Sequence, residues 1–240
     1  MIKKITIVIV GLLVVGTAVL AVWYQIDGQP RPETTQFMAG DGFVVTEADD
    51  GSLVFRPDVS NGHGLLIMHG ALIKPKSYVK SAAFFARRGY TVLLPNGMAR
   101  LSITAVDGAA ERMKDFAVRD WFVIGHSMGG MAGLMLIERH RPNVTAVALW
   151  AASQPSDFSD LSLPMLFLWG DTDGLLPPER FAAAKAKLPA TVEYVTVAGG
   201  NHQDFAMYSH QFFDREGLLG WAAQIDLANE TTAEFFARYF

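Results

Sequence analysis

The chain has 240 residues, of which 50% are hydrophobic and 18% charged, with a net charge of −4 and a pI near 5.8. That length holds one domain with a core large enough to stand without staples, and that composition excludes a disordered chain. There is no cysteine, which excludes disulfides, thiolate metal sites and a cysteine nucleophile, and there is no basic run of the kind that binds nucleic acid.

The chain opens on "MIKKITIVIVGLLVVGTAVLAVWYQIDGQP". Lys3 and Lys4 precede an uncharged run over residues 5–23. At about 1.5 Å per residue a helix over that run reaches roughly 30 Å, the thickness of a hydrocarbon core. Trp23 and Tyr24 stand where interfacial aromatics belong. Residues 1–26 therefore read as an uncleaved signal anchor. The rival is a cleaved signal peptide and secretion, with Val19 and Ala21 as small residues before the cut. The two lysines precede the span and only Arg31 follows closely, so the positive-inside rule leaves the N-terminus in the cytoplasm. The rest lies on the extracytoplasmic side, periplasmic or cell-surface in a bacterium. Residues 27–42, "DGQPRPETTQFMAGDG", are rich in Pro, Gly and polar residues and read as a tether. The folded domain spans 43–240.

Within it, short apolar runs alternate with helical patterns. "FVVTEADDGSLVFRP" predicts a hairpin turning at Asp50 and Gly51. "GLLIMHG" (64–70) predicts a strand, 75–89 a helix with Pro75 near its start and Gly89 at its end, and "YTVLLP" (90–95) a strand. A helix over 103–117, a strand over 121–125 and a helix over 128–140 follow. Strands are predicted over 144–152, 164–170 and 191–197, with helices over 178–188 and from about Leu218 onward. Continuous apolar strands alternating with helices mean a mainly parallel α/β sheet covered on both faces. Such sheets bind ligands at the carboxyl ends of their strands.

"GHSMG" (125–129) matches G-x-S-x-G and falls between a predicted strand and a predicted helix. A serine on so tight a turn needs small neighbours. Gly125 and Gly129 supply them, and Gly130 and Ala132 bring the helix close to the sheet. The turn presents Ser127 above the sheet edge and places the Met128 N–H at a helix N-terminus, where it can hold an oxyanion. A serine nucleophile needs a base, and the base needs an orienting acid. His202 follows the last predicted strand in "VAGGNHQDF" and is the candidate base. His63, His140 and His210 read as ordinary surface histidines. "LWGDTDGLLPPE" (168–179) offers Asp171 and Asp173 after a strand lying between serine and histidine. Asp173 is preferred, because Asp171 directly follows the strand and Gly170, where an aspartate shapes the turn.

Five segments together resemble the α/β-hydrolases, in the small uncapped branch known as family 5 or dienelactone-hydrolase-like: "GLLIMHGALIKPKSY", "FFARRGYTVLLPNG", "WFVIGHSMGGMAG", "LPMLFLWGDTDGLLPPE" and "VAGGNHQDF". The resemblance covers residue 43 to the end. It implies an α/β-hydrolase fold with Ser127 as nucleophile, Asp173 and His202 as its partners, and no cofactor. It further implies that the "HGA" turn gives a second oxyanion N–H, from Ala71 or Leu72, with His69 holding that turn. A dienelactone hydrolase uses a cysteine nucleophile, which this chain lacks, so that particular activity is not implied.

The connection "SQPSDFSDLSLP" (153–164) is barely a crossover and has no room for a lid domain. Phe205, Tyr208, Phe212 and Phe213 either line a pocket or pin their loop to the core. The reading is a membrane-anchored serine hydrolase for a small acyl substrate. The alternatives are an acyltransferase on the same residues, or a tethered binding protein on this fold.

Overall fold

The computed structural model describes residues 16–17, 21–22, 24–153 and 156–240. The run 5–23, read above as an anchor, lies almost wholly outside the described residues. Among those described, no helix is long and apolar enough to cross a membrane.

Eight strands form one sheet: β1 (Phe43–Glu47), β2 (Leu53–Pro57), β3 (His63–Met68), β4 (Thr91–Leu94), β5 (Asp120–His126), β6 (Val144–Trp150), β7 (Met165–Gly170) and β8 (Glu193–Val197). Their order is β1-β2-β4-β3-β5-β6-β7-β8, with β1 and β2 antiparallel and β3 to β8 parallel. The β1–β2 hairpin turns where the sequence predicts. Gly51 takes φ +79°, open to glycine without strain, and the Asp50 carboxylate accepts the Ser52 N–H at 2.8 Å.

Five α-helices cover the sheet: α1 (Val79–Ala86), α2 (Val106–Met113), α3 (Met128–His140), α4 (Pro178–Lys185) and α5 (Trp221–Phe236). The period of two in the strands sorts the core into two layers. Leu65, Ile67, Phe122, Ile124 and Trp150 face α1 and α5, while Leu66, Met68, Val123, Val147 and Leu149 face α2 and α3. The Trp150 indole N–H donates to Thr232 Oγ1 at 3.0 Å, tying α5 to β6 with a buried polar group satisfied. Helices α1 and α2 are shorter than the sequence pattern predicts, because their first turns, Pro75–Tyr78 and Ser102–Ala105, are 3-10 helices. The described part of the β6–β7 connection contains no helix or strand.

Residues 27–42, whose composition reads as a tether, lie against the domain. Pro30 bridges Tyr208, Arg31 N–H reaches Met207 O at 3.0 Å, and Ser209 N–H reaches Gln29 O at 2.9 Å. Asp27 is buried, and its carboxylate accepts the Phe212 N–H and a His210 ring nitrogen, both at 3.1 Å. Polar composition describes a free tether and a hydrogen-bonded strap equally well. The difference lies in partners about 180 residues away in sequence.

His63 also departs from expectation. It is buried at the start of β3, pairs with Asp120 at 2.5 Å and stacks on Phe240. It lies at the sheet edge opposite the candidate site. His140 and His210 are exposed, as read from sequence.

Candidate active site

The sheet order reverses at β3: β4 lies on one side of it and β5 on the other. Such a switch point opens a crevice at the strand carboxyl ends. Register fixes what meets there. Met68 pairs with Gly125, His126 with Trp150, and Gly170 with Val197. The turn after β3 (Gly70, Ala71), the turn after β5 (Ser127), and the loops after β7 (Asp173) and β8 (His202) therefore line one edge.

Ser127 caps α3 with φ +53° and ψ −122°, a region a non-glycine residue rarely occupies. Holding it there costs on the order of 1–3 kcal/mol, so the surroundings must over-determine it. They do so by close approach. A Cβ on Gly125 would lie 2.5 Å from Gly130 Cα, one on Gly129 would lie 2.0 Å from Met68 O, and one on Gly130 would lie 2.3 Å from the Ala152 methyl. Ser127 N–H donates to Trp150 O at 2.9 Å, fixing the turn from the β6 side. Its side chain is half-buried at the start of a 13-residue helix.

His202 and Asp173 form a buried pair, with His202 Nδ1 2.9 Å from Asp173 Oδ2. The other carboxylate oxygen accepts the Leu175 and Leu176 amides at 2.8 and 2.6 Å, so Asp173 is fixed before it orients anything. Asp171 points elsewhere: it is exposed and accepts the Gly199 N–H at 2.7 Å, shaping the turn. Asp214, which sequence reasoning did not single out, clamps the Asp173 and His202 loops together. Its two carboxylate oxygens accept the Gly174 N–H at 2.9 Å and the Gln203 N–H at 2.7 Å.

A chain of hydrogen bonds joins the turn after β3 to the His202 loop. Gly70 N–H donates to the Tyr78 hydroxyl at 2.8 Å. The hydroxyl donates its own proton to His126 Nδ1, at 2.7 Å, because the other nitrogen of that neutral ring must give its proton to a carbonyl. His126 then carries its proton on Nε2 and donates to the His202 carbonyl at 3.0 Å. With the ring neutral, the directions follow from the carbonyl end, which only accepts. The rings of His126 and His202 lie 5.0 Å apart, so the turn that carries Ser127 begins beside the His202 loop. Sequence reasoning missed Tyr78, and its only signal was a tyrosine eight residues beyond Gly70.

In the same turn, the Leu72 amide is committed to Arg100 O at 2.7 Å and the Ile73 amide to Gly70 O at 3.4 Å. His69 braces the turn: Gly97 N–H donates to its Nε2 at 3.2 Å, and its Nδ1–H donates to Gly70 O at 2.8 Å. The loop aromatics divide. Phe205 and Tyr208 are wholly buried and pin the loop, Phe212 is half-buried, and Phe213 is 85% exposed. Among the described residues there is no cluster of three His, Asp or Glu side chains that could hold a metal.

His69 and His126 are held neutral. Burial pushes His69 down to about 4, and burial followed by the neighbouring His202 holds His126 well below 6.5. Unfolded, both return to about 6.5, so below that pH the unfolded chain binds protons that the fold refuses. Their contribution is fully present above pH 6.5 and is lost as pH falls toward about 4. For His69 alone the loss is on the order of 3 kcal/mol. Urea midpoints measured downward from about pH 7 to about pH 4.5 should fall, with a shallower slope in His69→Gln. A flat profile would contradict two buried neutral imidazoles.

Comparison with known proteins agrees with this architecture. The profile of the alpha/beta hydrolase family matches residues 64–226. An esterase of Pyrococcus furiosus superposes with a TM-score of 0.61 at 12% identity, over 85% of this chain and 93% of its own. A serine hydrolase without a lid from Xanthomonas campestris gives 0.56 at 17%, over 84% and 97%. Esterase 2 of Thermogutta terrifontis, phosphorylated by paraoxon, gives 0.55 at 15%, over 82% and 94%. The search of curated proteins gives no match. Likeness at such low identity speaks for the fold, but the family profile spans more than half of the chain, and the chain belongs to the alpha/beta hydrolase family.

Proposed function

We propose that this hydrolase cleaves an ester-like acyl bond through an acyl-Ser127 intermediate. The observation that carries the reading is the strained Ser127 turn at the sheet edge that also carries a buried His202–Asp173 pair. The esterase relatives, one of them phosphorylated by paraoxon, support the same class of chemistry.

Asp173 accepts the His202 Nδ1 proton, which leaves Nε2 free to act as base. His202 takes the Ser127 hydroxyl proton as the oxygen attacks the carbonyl carbon. The tetrahedral oxyanion is held by two amides. One is Met128 N–H, in the first turn of α3, where helix amides lack intrahelical partners. The other is Ala71 N–H, since its neighbours Gly70, Leu72 and Ile73 have theirs committed. That elimination favours Ala71 over Leu72. The imidazolium then protonates the leaving alcohol, and water activated by His202 releases the acid. In this reading residues 5–23 anchor the chain in a membrane with the hydrolase domain on the extracytoplasmic side. That part rests on the sequence alone.

Turnover of a p-nitrophenyl ester series by the full chain tests the reaction. Ser127→Ala and His202→Ala should each lower kcat by about 10⁴-fold or more. Turnover that survives in Ser127→Ala would overturn the assignment. Tyr78→Phe removes the hydroxyl that links the Gly70 turn to His126. It should lower kcat by about 10- to 100-fold while KM stays nearly unchanged, because geometry rather than binding is lost. A rise in KM alone would show that Tyr78 acts on substrate binding instead.

A further inference from the structure

Three segments meet at Asp27. Its carboxylate accepts from His210 and Phe212, and its carbonyl accepts from Arg100 Nη1 at 3.1 Å. The Arg100 guanidinium also donates to the Tyr24 carbonyl and lies 3.6 Å above the Tyr24 ring. Residues 24–28, the 96–101 loop and the 203–216 loop are thereby gathered at one place. Both loops border the active site: Gly97 bonds to His69, and Asp214 bonds to Gln203 and Gly174.

These segments carry exposed apolar side chains. Ile26 is 49% exposed, Met98 77% and Phe213 85%. Leu218, 83% exposed, stands farther along the same loop, where its amide bonds to Gly199 O. Isolated surface apolar residues need no explanation, whereas a gathered set does. The backbone around them is also constrained. Phe213 takes φ +70°, and Ala99 and Arg100, directly after Met98, take +53° and +59°. An aromatic residue in the left-handed region is an outlier that its surroundings must enforce.

The chain itself indicates what covers this face. In sequence, the uncharged run 5–23 directly precedes Tyr24, and Ile26, 49% exposed, continues its apolar character. We propose that the face carrying Ser127 is a lipid-docking surface. Met98, Phe213 and Leu218 seat in the interfacial layer of a bilayer beside the 5–23 segment, and the acyl substrate is a lipid ester that reaches Ser127 from the membrane. The substrate clause rests on the hydrolase reading above; the docking clause does not. The contact is apolar rather than electrostatic, because the named side chains are uncharged and the net charge is −4. Zwitterionic lipid is therefore sufficient.

The cysteine-free sequence permits a direct test. Single cysteines replacing Met98, Phe213 and, as a control before β3 at the opposite sheet edge, Val59 are labelled with an environment-sensitive dye. The full chain is reconstituted into phosphatidylcholine vesicles containing spin-labelled lipid. Quenching is expected at 98 and 213, absent at 59 and insensitive to salt. Quenching at 98 and 213 no greater than at 59 would overturn the proposal. In parallel, a Met98→Ser, Phe213→Ser double variant should keep its turnover of a short water-soluble ester. On a long-chain ester in vesicles it should lose about 10-fold. Equal losses on both substrates would overturn the docking role. Quenching without turnover of any ester by the parent chain would leave the docking surface standing and remove the hydrolase reading. Soluble-ester turnover without quenching does the reverse.

Discussion

The structure depends on a turn that a non-glycine residue occupies only under compulsion. Ser127 sits at φ +53°, and the residues that set its turn against the sheet are glycines. Gly125, Gly129 and Gly130 stand where a Cβ would meet neighbouring atoms at 2.5 Å or less. Those contacts bring the start of α3 against the ends of β3 and β5. The same close approach puts a helix N-terminus beside the serine, so under the proposed function one steric device would serve both the exposure of the nucleophile and the stabilising of an oxyanion.

Around that turn the loops are built by carboxylates that accept backbone amides. Asp173 takes the amides of Leu175 and Leu176, Asp214 those of Gly174 and Gln203, and Asp27 that of Phe212. Each takes the place of water at loop amides. The Tyr78–His126 chain completes the frame from the other side, running from the turn after β3 to the carbonyl of His202. A neutral imidazole with a forced tautomer suits that position, since a charge there would sit 5.0 Å from His202, ring centre to ring centre.

Much of this was legible in the sequence. The strands announced themselves as apolar runs, and α3 spans the residues its pattern marked, because periodicity reports directly on burial. The tight turn at Ser127 and the pairing of Asp173 rather than Asp171 with His202 were legible through residue type, order and place after strands. Tyr78, Asp214 and Asp27 were not. Their roles come from single hydrogen bonds across gaps of 8 to 185 residues, and such bonds leave no periodic trace. His63 misled for a related reason: a histidine before an apolar run looks like a loop residue until Asp120 is brought beside it by strand register. The strap over 27–42 shows that composition describes solvation and not docking.

The central claim is that Ser127 is an activated nucleophile, and labelling with a fluorophosphonate probe tests it most directly. The account predicts a covalent adduct that maps to Ser127, disappears in Ser127→Ala and forms far more slowly in His202→Ala. A folded full-length chain that takes no label, or takes it elsewhere, would contradict the account.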